Sequence, residues 1–192
     1  MATTTVFSEF ELREMAVKFN GETSASYIHM DCVGECEEEM EVRVVTKKCR
    51  GKVKKTRVKG TGTGTLKLSA HVPYNIFTKA FGMENAKTID GVMSYGENST
   101  HPTFSIVQHV YDEDDNEKFK AYPNCTIKTG VARKIENGAE EVAEVEMEIS
   151  VDPDDYGNGL YEALASDLQD NTAKSTWMTA FIPDLVKKTA EA

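Results

Sequence analysis

The sequence predicts a mainly β protein, on three observations. Apolar and polar residues alternate with period two along much of the chain, turn residues separate the alternating runs, and only two short windows carry helical spacing. The expected architecture is two packed antiparallel sheets, a sandwich or partial barrel, flanked by one or two short helices, with a long basic hairpin arm. At 192 residues the chain fits a single domain over 1–192, with a charged arm over about 35–65 and a C-terminal arm over about 171–192.

Ile28, Met30 and Cys32 define one face of a first strand, and Tyr27, His29 and Asp31 the other. Met40, Val42 and Val44 alternate at the start of a basic stretch, and Leu66, Leu68, Ala70 and Val72 alternate after it. Pro73 then opens a helix over Tyr74–Phe81, in which Ile76, Phe77, Ala80 and Phe81 share a face and Gly82 is placed as a C-terminal cap. Phe104–Tyr111 and Lys118–Tyr122 flank an acidic hairpin turn at Asp112–Glu117. Asn124–Arg133 supplies another strand, and Asn137-Gly138 a tight turn. The clearest strand runs from Ala143 to Val151, with Glu144, Glu146 and Glu148 outward. Leu160, Leu164 and Leu168 suggest a second helix. The tail from Thr172, with Trp177, Met178, Phe181 and Ile182, reads as a strand or an arm.

Charge is strongly segregated. Nine cationic residues and no acidic one lie between Arg43 and Lys59: Arg43, Lys47, Lys48, Arg50, Lys52, Lys54, Lys55, Arg57 and Lys59. The rest of the chain holds 13 basic against 32 acidic residues. Opposite fields of this kind govern association rather than fold. The cationic residues are expected to reach an acidic neighbour, with Glu35, Glu37, Glu38 and Glu39 as one receptor. A solvated hairpin with charged edges accounts for the same pattern. An overall charge of −10 argues against a surface that grips nucleic acid broadly. No apolar run approaches the ~20 residues that cross a bilayer, and the N-terminal sequence has no signal-peptide pattern, so no membrane partner and a cytoplasmic site of synthesis are expected.

Catalytic and metal motifs fail on inspection. In the Gly60–Thr65 run, Lys67 stands where a dinucleotide loop needs its third glycine, and Gly60, Gly62 and Gly64 instead suit close approach of another backbone. Asp112, Asp114 and Asn116 resemble the start of a calcium loop, but Glu117 and Pro123 occupy its required glycine and glutamate positions. Cys32, Cys36 and Cys49 lack a fourth zinc ligand at finger spacing. The chain is therefore expected to be no enzyme and to take neither cofactor nor metal.

Three segments, read together, resemble the major tail (tail tube) proteins of long-tailed, siphovirus-type bacteriophages of Gram-positive bacteria. They are Glu39–Met83, with its glycine-threonine strand leading into PYNIF, Phe104–Gly130 with YPNC, and Glu144–Leu164. The resemblance implies hexameric rings stacked into a tail tube, the conduit for genomic DNA during ejection. The implied location is the virion, after assembly in the bacterial host cytoplasm. By the same resemblance the partners are further copies of the chain, the tape measure, tail terminator and distal tail proteins, and viral DNA passing without specific binding. Glu144, Glu146 and Glu148 would then line the channel, although alternation fits an outer face equally. A nucleic-acid-binding β-ribbon using residues 43–59 is the alternative, and a hydrolase or metal enzyme a third class that the residues support little.

Overall fold

The computed structural model describes residues 6–21, 26–83 and 88–187. The fold is mainly β, with eight strands, two short helices and a 3-10 turn among the described residues. The strands are β1 (Glu11–Phe19), β2 (Ile28–Met30), β3 (Val33–Cys49), β4 (Lys52–Ala70), β5 (Phe104–Tyr111), β6 (Glu117–Ile127), β7 (Val145–Asp152) and β8 (Tyr161–Leu164). Helix α1 (Tyr74–Ala80) follows β4, and α2 (Asn171–Ala180) precedes the 3-10 turn Pro183–Val186.

All strand pairs are antiparallel, in the order β2-β1-β5-β6-β7-β4-β3, with β8 beside β6. Hydrogen bonding is thus continuous where two sheets were expected, and β6 is the reason. Its first half, Lys118–Ala121, pairs with β8, and its second half, Asn124–Ile127, pairs with β7. Pro123, which has no N–H to give the ladder, sits where the β5–β6 register shifts. The sheet folds over at this crease. Val17 and Phe19 of β1 line the same small cavity as Leu68 of β4 and Met147 of β7. A flat sheet would hold β1 and β4 about four spacings of ~4.8 Å apart. The result is a partial barrel with β6 shared between its halves.

Two apolar clusters follow. The larger fills the fold of the sheet, with Met15, Val17, Leu66, Leu68, Ile106, Tyr122, Ile149 and Val151, and is closed by Ile76, Phe77, Ala80 and Phe81 of α1. The smaller lies on the opposite face of β1, β5 and β6, under α2. There Trp177 stacks on Phe119 at 5.8 Å and donates from Nε1 to the Lys120 carbonyl at 3.1 Å. Asp170 caps α2 by accepting from the amides of Thr172 and Ala173.

Some sequence expectations change. Leu160–Leu168 is not a helix: Tyr161–Leu164 is a strand, because its backbone completes the free edge of β6. The segment beginning at Asn171 is a packed helix rather than a strand or arm, and 188–192 of the expected arm lie outside the described residues. The strand placed at Asn124–Arg133 ends at Ile127 and is continuous with Lys118–Tyr122. The helix after Pro73 and the turns at Asp112–Glu117 and Asn137-Gly138 stand where expected.

Candidate assembly surface

Beyond Gly64, which pairs with Val151, β4 has only β3 as a neighbour, so the two strands leave the body as a ribbon. It closes at Arg50-Gly51, whose φ values of 50° and 76° give the tight turn that matches strand twist. Cross-strand partners share a face. Val42, Val44 and Thr46 oppose Gly60, Val58 and Thr56 on one face, whereas Arg43, Val45 and Lys47 oppose Lys59, Arg57 and Lys55 on the other. As far as Thr46 and Thr56, one face of the arm is therefore uncharged and the other carries five cations; Lys48 ends the uncharged row.

The uncharged face continues the row Cys36, Glu38, Met40 that in the body meets the core. In the arm no described residue covers it: Val42 is 58% and Val58 57% exposed. On the basic face Arg43 stands opposite Lys59 and Lys47 opposite Lys55, like-charge pairs that weaken an isolated ribbon. Among the described residues the ion pairs all lie outside the arm. Lys48, Arg50, Lys52 and Lys54 extend the positive charge to the tip.

The root of the arm is a bulge in which Thr61, Gly62 and Thr63 oppose the single residue Glu41. Thr61 Oγ1 donates to the Glu41 carbonyl at 3.1 Å, and Thr63 Oγ1 to its carboxylate at 2.8 Å. Gly62 has φ 79°, and a Cβ there would stand 2.7 Å from the Gly157 carbonyl oxygen. The glycine-threonine strand thus does admit another backbone, at Gly62 and at Gly64, where a Cβ would stand 2.8 Å from the Glu39 carbonyl oxygen; Gly60 faces open space.

On the body, the continuation of the basic face is acidic. Glu37 of β3, Lys67 of β4 and Glu148 of β7 form one cross-strand row, and Glu35, Ser69 and Glu146 the next. Lys67 Nζ pairs with Glu37 at 2.8 Å, Lys128 with Glu148 at 2.7 Å, and Ser69 donates to Glu144 at 2.6 Å. Two adjoining cavities of about 990 and 480 Å³ open over this face, the larger walled by Arg133, Lys134, Glu136 and Glu141. The structure therefore brings together two sets that the sequence kept apart. Glu35, Glu37 and Glu39, read as an arm receptor, share one face with Glu144, Glu146 and Glu148, read as a channel wall.

Glu38 does not join them. Alternation turns it inward, where it pairs with Lys120 and accepts from Tyr122 Oη at 2.7 Å. Lys120 is only 5% exposed and also contacts Glu9 of the N-terminal segment at 3.1 Å. Burial works to lower the Lys120 pKa, but Glu38 and Glu9 outweigh it and hold the ammonium above its ordinary value. Burial works to raise Glu9, yet Lys120 and Lys118 keep its carboxyl below the usual range. Burial foremost, then Glu38, pushes the Tyr122 phenol well up. This centre had no sequence signal beyond a lysine at an inward position of β6.

No protein-family model matches the chain, and no curated protein sequence matches it. Among solved structures it is similar to the tube-terminating cap of the anti-feeding prophage, with TM-score 0.49 and 10% identity over 86% of this chain and 100% of that one. It is also similar to a chain of the anti-feeding prophage baseplate, with TM-score 0.44 and 9% identity over 85% and 97%. At such scores and identities neither likeness bears on function.

Proposed function

We propose that the chain is a structural subunit of a phage-type tail tube, forming hexameric rings that stack into a hollow conduit for DNA. The observation that carries this reading is the two-faced arm. It presents an exposed valine row and a cationic row that, among the described residues, has no ion-pair partner, on a body whose adjoining face is rich in glutamate. A ribbon of this kind is completed by another copy: its basic face meets Glu35, Glu37 and Glu39, and its valine face meets apolar surface at the ring junction. The three segments that resemble tail tube proteins support the same reading and extend it to the tape measure, terminator and distal tail proteins as neighbours. Glu144, Glu146 and Glu148 border the channel in this account. Glu146 and Glu148 lie two strands in from β3, about 10 Å away, which leaves room for both roles, whereas the Glu144 carboxylate reaches back to Gly34 of β3.

The basic face also supports a second reading, a β-ribbon that binds nucleic acid through phosphate contacts. Electron microscopy of the concentrated protein, paired with DNA retention at physiological salt, separates the two. Six-fold rings or tubes with no retained DNA support the structural role. Retained DNA without rings supports the ribbon and overturns it.

A further inference from the structure

One face of the β3–β4 strip reverses its charge about a single point. Toward the body from Glu41 it carries Glu39, Glu37 and Glu35 on β3, with Glu146 and Glu148 on β7 and Lys67 of β4 between them. Lys67 pairs with Glu37 and Lys128 with Glu148, which leaves Glu35, Glu39 and Glu146 as the acidic excess. Toward the tip it carries Arg43, Lys47, Lys55, Arg57 and Lys59. The bulge at the root preserves the alternation, because β4 gains two residues there (an even number) while β3 runs on unbroken. Acidic and basic halves therefore lie on the same side of the same two strands. They cannot reach each other within one chain.

A strip that changes sign about its midpoint is complementary to itself under a two-fold axis through that midpoint and across the strands. We infer that two copies of the free chain pack outer face to outer face in opposite directions. Each arm then covers the acidic body face of its partner, and Glu41 and the Thr61–Thr63 bulge lie near the axis. Such a contact is closed, whereas an arm laid head-to-tail on the next copy leaves the next acceptor open and propagates. The strip is long enough: 17 residues of β3 span about 56 Å, and a width of two to three strands gives roughly 1,300 Å² across both partners, within the range of stable interfaces. The five cations face carboxylates, where in a lone chain Arg43 and Lys59, and Lys47 and Lys55, face only each other. The valine faces stay outward. The pair is independent of the tail reading. If that reading holds, the pair is a resting form that must open before arms engage a ring, since it covers the arm and Glu144, Glu146 and Glu148 together.

Sedimentation of the wild-type chain at ~50 mM and ~500 mM salt tests the pair, because exposed charge contacts are screened over that range. The expected result is a species of twice 21.3 kDa at low salt, whose dissociation constant rises about tenfold or more at high salt. A monomer at low salt and high concentration overturns it. So do chains or rings that grow with concentration without stopping at two, an outcome that leaves the tail reading intact. Two reversed variants separate closed from open contact. One carries Lys47→Glu, Lys55→Glu, Arg57→Glu and Lys59→Glu; the other carries Glu35→Lys, Glu37→Lys, Glu39→Lys and Glu146→Lys. Each alone should be monomeric, and an equimolar mixture should give a one-to-one pair. A mixture that polymerises, or does not associate although both variants show wild-type circular dichroism, overturns the two-fold arrangement.

Discussion

Thr63 Oγ1 donates a 2.8 Å hydrogen bond to the carboxylate of Glu41, at the position where the outer face of the β3–β4 strip changes from acidic to basic. The bond fixes the last carboxylate before the arm, and the adjoining Gly62 lets the loop after β7 lie against the same point. The root of the arm is thus held by two side-chain hydrogen bonds to Glu41 and a close backbone approach at Gly62. The valine row of the ribbon beyond it is exposed.

Gly62→Ala should loosen that root. At φ 79° a Cβ is strained, and it would meet the Gly157 carbonyl. The expected cost is about 1–3 kcal/mol, read as a lower denaturation midpoint. Gly60→Ala, with open space at its Cβ position, should change stability far less.

Removing the buried cation should be costly. Lys120→Ala leaves Glu38 inside without its partner, with an expected loss of about 3 kcal/mol in chemical denaturation. Lys120→Met, which fills the same volume, should not recover it while Glu38 remains charged. Recovery in the Lys120→Met, Glu38→Gln double variant would show that the penalty is the unmatched carboxylate.

The N-terminal segment should be acid-sensitive through Glu9. Its folded pKa lies below the ordinary value of 4.5, so its contribution is complete above that value and is lost as pH falls through the folded one. Melting temperatures of wild type and Glu9→Gln should differ near neutral pH and converge in acid. A constant difference across that range would show that the Lys120 and Lys118 contacts do not stabilise the charged form.

Phe81→Ala should destabilise the core directly. Phe81 is 1% exposed and lies 4.6 Å from the Phe77 ring, with His101 edge-on at 5.3 Å. A loss of about 3–5 kcal/mol is expected by thermal or chemical denaturation. A wild-type melting curve would contradict the packing of α1.

Sequence pattern revealed the parts of the fold where one face meets the core and the other meets water. β7, the body half of β4 and α1 are such elements, and their alternation or helical spacing located them. β1 escaped because it is covered on both sides. Met15 and Val17 enter the cluster inside the fold of the sheet, while Ala16 enters the one under α2, so three consecutive buried residues show no period. Helix α2 escaped because its buried set is only Ala173, Trp177 and Met178, although Asp170 offered a capping signal. Leu160, Leu164 and Leu168 misled because a spacing of four fits a strand and the turn after it as well as a helix.

Of the candidate surface, the cationic residues were legible because no acid interrupts them. Placing the two glutamate sets on one face depended on β4 lying between β3 and β7, a long-range pairing that no local pattern encodes. Glu38 shows the limit of reading charge alone. Its neighbours in the acidic run face outward, and alternation sends it to Lys120 instead.

The central claim is that the arm and the acidic face are two halves of one assembly contact. Electron microscopy of three forms tests it most directly: wild type, the arm-reversed variant (Lys47→Glu, Lys55→Glu, Arg57→Glu, Lys59→Glu), and a chain carrying both the arm and the body reversals. Exposed single pairs contribute only about 0–1 kcal/mol, so the effect must come from many copies acting together. Ordered association is expected from wild type, as the closed pair or, once pairs open, as tubes; the arm-reversed variant should remain as folded single subunits, and association should return when both halves are reversed. Tubes from the arm-reversed variant alone would contradict the claim.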